Sequence, residues 1–267
     1  AGVPGFLDAV QVHMVETSPV LQSRQRETLQ SARLPVMWHA DIDALPDGPM
    51  IVLANEFLDA LPVRQYVYQK GTWHHRAVTW ADGAFKFVAA DAVDPDLIPA
   101  PFRTAAEGAI YEDSPAVLAV TKNLAGRLSA QGGAALFIDY GHTVGGLGET
   151  LQAVSRHGYA DPLAEPGDVD LTAHVDFAAL VACARDAGAA VWGPLTQAAL
   201  LQRLGIDERA ATLAAAIGTE RAGEISTQHR RLTAVDAMGH LFKALAITHP
   251  AQPAPPSFET AIPMRDR

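Results

Sequence analysis

Short apolar runs that end in polar residues are the feature that most limits the folds open to this chain. Residues 50–54 (MIVLA) are uninterrupted apolar residues, and Asn55 and Glu56 follow them directly. Such a run predicts a strand buried on both faces, as in a parallel sheet covered by helices. A second run, residues 134–138 (AALFI), ends at Asp139. Ligands of open α/β sheets bind beyond the carboxyl ends of the strands, so both runs place polar groups where a ligand would bind.

The amino-terminal residues repeat this arrangement. Residues 10–15 predict a strand that ends at Glu16. Ser18 and Pro19 then predict the start of a helix that reaches about residue 32, because proline at the first helical position lacks only an N–H that would have no partner. A carboxylate between such a strand and helix can accept ribose hydroxyls, which makes Glu16 a candidate ribose ligand. The alternative is a solvated glutamate at a strand end.

Residues 35–40 predict the next strand, with Asp41 and Ile42 at its carboxyl end. An acid followed by an apolar residue can bind an adenine amine and pack on the ring, although the dipeptide is equally typical of a loop. The resulting order of strand, helix, strand, loop and strand predicts a doubly wound α/β sheet.

The middle of the chain has a different character. Residues 63–88 alternate in strand fashion around Gly71, which predicts an antiparallel meander inserted between the parallel units. His74 and His75 lie within it, but adjacent strand residues point to opposite faces and no ligand spacing accompanies them, so we expect no metal site. Residues 145–171 are predicted to be mostly a loop, which functions as a lid or binding loop.

Helices and strands complete the carboxyl-terminal part. Ser114 with Pro115 predicts another helix start, and Gly132 ends that helix. His174 is either a general base or a capping or surface residue before the next helix. The remaining predicted elements are helices over residues 176–187, 198–204, 207–216 and 219–230, and strands over residues 191–197 and 241–247.

The residues after the run 50–54 support two interpretations. In one, Asn55 caps a following helix and Asp59 is solvated. In the other, they form the edge of an active site, and Glu56 and Asp59 share a face if a helix begins there, because they are three residues apart.

Composition excludes some functions. The formal charge of −10 over 267 residues argues against nucleic-acid binding, which needs clustered Lys and Arg. No apolar run reaches the roughly 18 residues of a membrane span. The one cysteine, Cys183, is expected to be a core residue in a reducing compartment. Because the chain starts at Ala1 without a methionine, we expect it to be part of a longer protein.

Seven motifs occur together in one order, and that ordered set is more specific than any single motif. It resembles the MidA-like S-adenosylmethionine-dependent methyltransferases, a family with mitochondrial members needed for respiratory complex I assembly, over residues 3–249. The motifs are residues 15–19 (VETSP), 54–62 (ANEFLDALP), 138–141 (IDYG), 161–167 (DPL and PG), 170–177 (DLTAHVDF), 193–197 (GPLTQ) and 238–243 (MGHLFK).

The resemblance implies a seven-stranded, Rossmann-like class I methyltransferase sheet. It implies a domain over residues 1–249 that lacks its first strand and Gly-rich loop, with insertions at about 63–105 and 143–188. Residues 250–267 would form a Pro-rich tail. The implied cofactor is S-adenosyl-L-methionine, and the implied reaction is methyl transfer to an arginine of a protein, with a complex I subunit as the expected substrate.

The resemblance also assigns roles. Glu16 would bind the ribose, Asp41 and Ile42 the adenine, and Asn55 would lie beside the transferable methyl. Beyond the resemblance, the pairing of carboxylates with a guanidinium suggests the hypothesis that Glu56 orients the substrate arginine, with Asp59, Tyr140 or His174 in support. The expected catalytic residues are therefore Asn55, Glu56 and Asp59.

Two rival functions remain. One is a non-catalytic assembly factor that keeps the fold and binds a partner through residues 63–88 and 145–175. The other is a nicotinamide-dependent oxidoreductase, ranked last because it does not explain Asn55 and Glu56. Oligomeric state is open, with a homodimer as one option. The Lys-poor composition is typical of a GC-rich bacterial genome and hence of the cytoplasm, whereas a eukaryotic protein would lie in the mitochondrial matrix.

Overall fold

The computed structural model describes residues 3–155, 158–217 and 219–259. Residues 156 and 157 of the expected loop and residues 260–267 of the expected tail lie outside the described residues. The chain divides after Gly48 into two compact units.

The first unit is a helix-connected pair of parallel strands. Its elements are α1 (Phe6–Ala9), β1 (Val12–Val15), α2 (Pro19–Leu29) and β2 (Val36–His39). The backbones of β1 and β2 pair in parallel from Val12 with Val36 to Val15 with His39. The predicted helix start is confirmed, because the Ser18 hydroxyl accepts the Leu21 N–H at 3.3 Å. The helix ends at Leu29, slightly before the predicted residue 32.

The second unit contains a central mixed sheet and two antiparallel sheets. In chain order its elements are β3 (Met50–Asn55), β4 (Arg64–Gln69), β5 (Thr72–Ala81), β6 (Ala84–Ala92), β7 (Ile110–Asp113), α3 (Pro115–Gln131), β8 (Gly133–His142), β9 (Gln152–Ser155), β10 (Gly158–Ala160), β11 (Asp170–Thr172), β12 (Val175–Asp176), α4 (Phe177–Asp186), β13 (Ala190–Thr196), α5 (Gln197–Arg203), α6 (Ile206–Ile217), α7 (Thr219–Thr233), α8 (Met238–Leu241) and β14 (Phe242–Thr248).

The central sheet is built around β8. Strand β3 runs parallel to it, from Met50 beside Gly133 to Asn55 beside Ile138, and β12 pairs in parallel with its carboxyl end. Strand β14 lies antiparallel to β8, and β13 lies antiparallel to β14. The carboxyl ends of β3 and β8 therefore meet at one edge of the sheet, as the sequence predicted. The α/β class is confirmed, whereas the count of seven strands remains a prediction.

Helices α3 and α4 pack on this sheet and form the main core. Leu124 and Leu128 of α3 and Leu180 of α4 are almost fully buried against Phe137 of β8 and Ile247 of β14. Burying a side chain of this size contributes about 1.5–3 kcal/mol relative to exposure. These leucines therefore mark the core-facing sides of α3 and α4.

Strand β3 contradicts one prediction. Its residues alternate, with Val52 and Ala54 packed against the core while Ile51 and Leu53 are 71% and 77% exposed. The prediction of burial on both faces is wrong for the structure described. An unbroken apolar run shows that both faces of a strand could be buried. Whether they are depends on a covering layer from elsewhere in the protein, and none of the described residues covers the face of Ile51 and Leu53.

The meander is confirmed and extended. Strands β4, β5 and β6 form the predicted antiparallel series, and β7 adds a fourth strand beside β4. Tyr66 and Trp73 are buried at its centre. The indole N–H of Trp73 donates to the Phe102 carbonyl at 3.0 Å, which fastens the connection after β6 to the sheet.

The region predicted to be mostly loop contains a small sheet. Strands β9, β10 and β11 pair antiparallel in the order β10–β9–β11. They are only three or four residues long, which is too short for a periodic pattern to stand out in the sequence.

The remaining predicted helices and strands are confirmed with small shifts of their ends, as α5, α6, α7, β13 and β14. After β14, Phe258 is buried against Leu200, Ala244 and Ala246, so the described part of the expected tail includes a packed side chain. Across residues 3–155, 158–217 and 219–259, no helix combines the length and the apolar character of a membrane span.

Candidate active site

The turn that follows β3 closes around one carboxylate. Asp139, only 1% exposed, accepts the backbone N–H groups of Phe57, Leu58 and Asp59 on its Oδ2 atom at 3.2, 3.0 and 3.2 Å. Its Oδ1 atom accepts the Tyr140 N–H at 2.9 Å. The helix considered in both interpretations does not form, because these N–H groups converge on Asp139 and the chain makes a turn instead.

Asn55 and Glu56 lie exposed at the end of β3. The Glu56 N–H donates to the Ile138 carbonyl at 2.9 Å, which continues the ladder with β8. Its φ angle of 48° lies in the left-handed region, which is uncommon for a residue with a side chain. The Asn55 amide donates to the Glu56 Oε1 atom at 3.4 Å. Sparsely populated backbone conformations of this kind cluster at functional sites.

Asp59 is buried, with 6% of its surface exposed. Its Oδ1 atom has no hydrogen-bond partner among the described residues. Glu56 is exposed and Asp59 is buried, so the two acids do not share a helix face, and the interpretation of a solvated Asp59 is wrong.

Two ionisable groups beside Asp59 have strongly shifted pKa values. Burial, and after it the nearby Asp59 charge, raises the pKa of Asp139 to about 7, against the opposing effect of the backbone N–H donors. Burial, followed by a hydrogen bond with Asp59, raises the pKa of Tyr140 above its usual value. Tyr140 therefore keeps its proton at neutral pH and can donate it in a hydrogen bond.

A cavity of about 170 Å³ opens next to Asp59. It lies between the turn after β3, strand β7, the carboxyl end of β8 and the first turns of α3 and α4. Its polar lining consists of Asp59, Tyr111, Glu112, Asp113, Ser114, His142, His174 and Asp176. Among the described residues that line it, none is Lys or Arg, so the cavity is suited to a cationic group.

Glu112 and Thr150 organise one wall. The Glu112 carboxylate accepts the Gln65 side-chain amide at 2.7 Å and the Thr150 backbone N–H at 3.1 Å, and the Thr150 hydroxyl donates to it at 2.5 Å. The same hydroxyl accepts the His174 N–H at 2.9 Å. The chain before β9 is therefore tied to the meander, and His174 is tied to both.

The two histidines in the cavity have different surroundings. The His174 ring packs edge-on against Tyr140 with centroids 5.4 Å apart. Burial, and after it the neighbouring His142, lowers the pKa of His174, so its ring is neutral at neutral pH. His142 has its Nδ1 atom 3.9 Å from Asp176. Asp176 rather than His174 caps α4, accepting the N–H groups of residues 178 and 179.

The candidate cofactor ligands Glu16, Asp41 and Ile42 lie in the first unit. Glu16 accepts the Ser18 N–H at 2.9 Å and the Gln25 amide at 3.1 Å on separate oxygens. Asp41 caps the short 3₁₀ helix Ile42–Ala44 by accepting the Asp43 N–H at 2.9 Å. A carboxylate offers about four acceptor positions, so both acids keep capacity for ligand hydroxyl or amine groups.

Sequence reasoning named several residues of this site and missed others. It singled out Asp59, Tyr140 and His174, which the structure brings together around the cavity. It assigned no role to Glu112 or Thr150, whose contact spans 38 residues and has no local signal. The Glu112 carboxylate stands next to the helix start at Ser114, and that position is the only sequence clue to it.

Comparison with known proteins identifies the class. Residues 1–195 match a family of S-adenosyl-L-methionine-dependent methyltransferases, and the chain belongs to that family. The expected family and the α/β class are therefore confirmed.

The curated relatives give a closer description. The chain is 31% identical over 260 residues to the mitochondrial protein arginine methyltransferase NDUFAF7 homolog of Caenorhabditis elegans, covering 89% of this chain and 61% of that protein. It is 33% identical over 268 residues to the corresponding Drosophila melanogaster protein, covering 88% and 60%. The chain thus spans about three fifths of the length of these relatives.

Two crystal structures of Burkholderia thailandensis proteins share the fold. One has a TM-score of 0.81 and 31% identity, covering 94% of this chain and 69% of that protein. The other, bound to S-adenosyl-homocysteine, has a TM-score of 0.77 and 31% identity, covering 94% and 67%.

Proposed function

We propose that the protein containing this chain transfers a methyl group from S-adenosyl-L-methionine to an arginine of a protein substrate. The observation that carries this proposal is the acid-lined cavity at the carboxyl ends of β3 and β8, because a guanidinium is a permanent cation that pairs with carboxylates. The curated relatives named protein arginine methyltransferase and the neighbour bound to S-adenosyl-homocysteine support it.

On the cofactor side, we assign Glu16 to the ribose hydroxyls, Asp41 and Ile42 to the adenine, and Asn55 to the region of the transferable methyl. The acceptor capacity left on Glu16 and Asp41 fits this assignment. When bound, the cofactor supplies a methyl group on a sulfonium, which is transferred by in-line displacement.

On the acceptor side, Glu56 orients the guanidinium and Asp59 supports it, with Tyr140 and His174 beside them. The main task of these side chains is alignment, because in-line displacement depends on the position of the attacking nitrogen. A carboxylate paired with the guanidinium also holds positive charge on the nitrogens that do not attack. The exposed position of Glu56 leaves its carboxylate accessible to a protein substrate.

The test uses the full-length protein. We expect Glu56→Gln to reduce methylarginine formation by about a hundredfold or more, a loss in the range of one electrostatic contact to the transition state. Mass spectrometry of substrate protein incubated with the cofactor measures the product. Calorimetric titration with S-adenosylmethionine should give nearly the same affinity for both proteins.

Two results would contradict the proposal. Unchanged turnover in Glu56→Gln would remove Glu56 from its role. Absence of cofactor binding by the wild-type protein would favour the non-catalytic assembly factor.

The proposal also covers the domain organisation, the substrate protein and the cellular compartment. We assign the methyltransferase domain to residues 1–249, with insertions at about 63–105 and 143–188 and a first strand and Gly-rich loop outside the sequence described. The face of Ile51 and Leu53, which no described residue covers, supports a missing layer beside β3.

The substrate would be a complex I subunit. A eukaryotic protein would act in the mitochondrial matrix, since the relatives are mitochondrial, and a bacterial one in the cytoplasm.

A further inference from the structure

The outer half of the β5–β6 hairpin extends beyond the rest of its sheet. Strand β4 pairs with residues 72–75 of β5. In the described part of the chain, residues 76–81 of β5 pair with residues 84–89 of β6 and with no third strand. We call residues 76–89 the arm. Because an isolated two-stranded hairpin is only marginally stable in water, the arm needs a further surface to pack against.

One face of the arm is aromatic and exposed. Val78 lies beside Phe87 and Trp80 beside Phe85, and side chains opposite each other in a sheet share a face. The Trp80 and Phe85 rings meet edge to face with their centroids 4.8 Å apart. Val78, Trp80 and Phe85 are 51%, 63% and 39% exposed. Contiguous exposed apolar patches of this kind mark protein interaction surfaces.

The arm is fixed at its base by Arg76. The guanidinium of Arg76 lies over the Phe87 ring, 3.8 Å from its centroid. It also donates to the Gln65 Oε1 atom at 3.0 Å and pairs with Glu149. A fixed arm presents its aromatic face in one orientation, which lowers the entropic cost of association.

The charge of the arm differs from that of the rest of the chain. Its charged side chains are Arg76, Asp82 and Lys86, so none of the net charge of −10 comes from the arm. Lys86 pairs with Asp82 at 2.6 Å and Arg76 with Glu149, so the arm has no free cation that would select an acidic partner. Two copies of the chain repel each other through their negative surfaces, and that repulsion is smallest at the arm.

The length of the arm reduces the repulsion further. Six residue pairs at about 3.4 Å each make it about 20 Å long. At physiological ionic strength, charges are largely screened beyond about 8 Å. Two copies that meet through antiparallel arms therefore keep the bases of those arms well beyond the screening distance.

We infer that the protein forms a symmetric dimer in which the aromatic faces of two arms pack against each other. A two-fold axis requires a patch that is complementary to itself, and a neutral aromatic face meets that condition. Trp80 and Phe85 of one copy then contact the same residues of the other, in the edge-to-face or offset geometries that aromatic rings prefer. The second arm also supplies the packing that a lone hairpin lacks. This inference does not depend on the proposed reaction.

The test measures association of the full-length protein by analytical ultracentrifugation. Between about 1 and 100 μM, the wild type should show a dimer whose fraction rises with concentration. Trp80→Glu removes the largest side chain of the face and places a charge in the contact. We expect it to raise the dimer dissociation constant about thirtyfold or more, because a central tryptophan is a typical interface hot spot.

Two further variants separate the aromatic face from a general effect of charge or folding. Val78→Glu changes the same face and should raise the dissociation constant about tenfold, because like charges then face each other across the two-fold axis. Thr79→Glu is the matched control, since it adds the same charge at the adjacent exposed position, which points to the opposite face. Its dissociation constant should stay within about twofold of the wild type, because Glu at this position lies opposite Lys86. Circular dichroism checks that each variant is folded.

The outcomes decide the inference without reference to methylation. Selective weakening of the dimer by Trp80→Glu and Val78→Glu supports it. A wild type that stays monomeric up to about 100 μM overturns it and leaves the aromatic face to the protein substrate or to a part of the protein outside this sequence. A dimer that is weakened as much by Thr79→Glu as by Trp80→Glu, or by none of the three substitutions, also overturns it, because association would then not depend on the aromatic face.

Discussion

Two turns at the carboxyl ends of parallel strands, one after β1 and one after β3, present a glutamate in different ways. Glu16 is tied by its own segment, through hydrogen bonds with Ser18, Gln22 and Gln25. Glu56 has one side-chain hydrogen bond, a 3.4 Å contact with its neighbour Asn55.

The difference lies in what holds each turn. The partners of the Glu16 carboxylate, Ser18 and Gln25, are two and nine residues away in sequence. The turn after β3 is instead held by Asp139, 80 to 82 residues away. The turn after β3 is held by a remote anchor, Asp139, which leaves the Glu56 side chain nearly unengaged. The turn after β1 is held by a local anchor, the hydrogen bonds that Glu16 itself accepts. The same sequence pattern therefore produces one constrained acid and one accessible acid.

The largest effect is expected from removing the remote anchor. Asp139→Ala leaves four backbone N–H groups without their acceptor, and each buried unsatisfied group costs about 1–3 kcal/mol, so we expect a loss of about 3 kcal/mol or more of unfolding free energy. Urea unfolding measures it. Asp168→Ala, at an exposed position, is the control, and a comparable loss in both variants would contradict the anchor role.

The next largest effect is the pH dependence of the unfolding free energy that Asp139 causes. The folded-state pKa of Asp139 is raised from 3.8 to about 7, so its contribution to stability is complete below the unfolded value and is lost as the pH rises through about 7. The unfolding free energy of the wild type minus that of Asp139→Asn should therefore fall as the pH rises from about 4 to 8. Unfolding curves across this range test the sign, and a difference that grows with pH would exclude it.

The turn after β1 gives a smaller effect, through the Ser18 hydroxyl that caps α2. Ser18→Ala removes the N-cap of α2 and should cost about 1 kcal/mol. Amide hydrogen exchange in α2 reports the loss directly. Ser23→Ala, at an exposed position inside the same helix, should leave protection unchanged or slightly increased, because alanine favours helix. Equal effects of the two substitutions would show that the cap does not stabilise α2.

The smallest effect on stability is expected at Glu56. Glu56→Gln changes an exposed side chain with one long hydrogen bond, so the unfolding free energy should shift by less than about 0.5 kcal/mol. Thermal unfolding measures it. A shift above about 1 kcal/mol would show that Glu56 is held as firmly as Glu16, and the contrast between the turns would fail.

Local signals account for most of what the sequence could predict. Ser18 with Pro19 and Ser114 with Pro115 mark helix starts because a hydroxyl and a proline act on the backbone next to them. The apolar run of β3 marked a strand, yet its second face depends on residues elsewhere. Strands β9 to β11 are too short to show periodicity.

The candidate site shows the same division. Polar residues at the ends of β3 and β8 were visible as a pattern, and the topology brings those ends together. The burial of Asp59 was not visible, because it follows from the bonds that Asp139 makes across more than 80 residues. The hydrogen bonds between Glu112 and Thr150 could not be predicted for the same reason, since 38 residues separate the two.

The remote anchor also has a consequence for protein synthesis. During translation at about 5–20 residues per second, the turn after β3 is made roughly 4–16 seconds before Asp139. For that interval the backbone N–H groups of residues 57–59 lack the Asp139 acceptor. The turn that carries Glu56 and Asp59 therefore gains its acceptor only after Asp139 has been made, although both acids are among the first quarter of the chain.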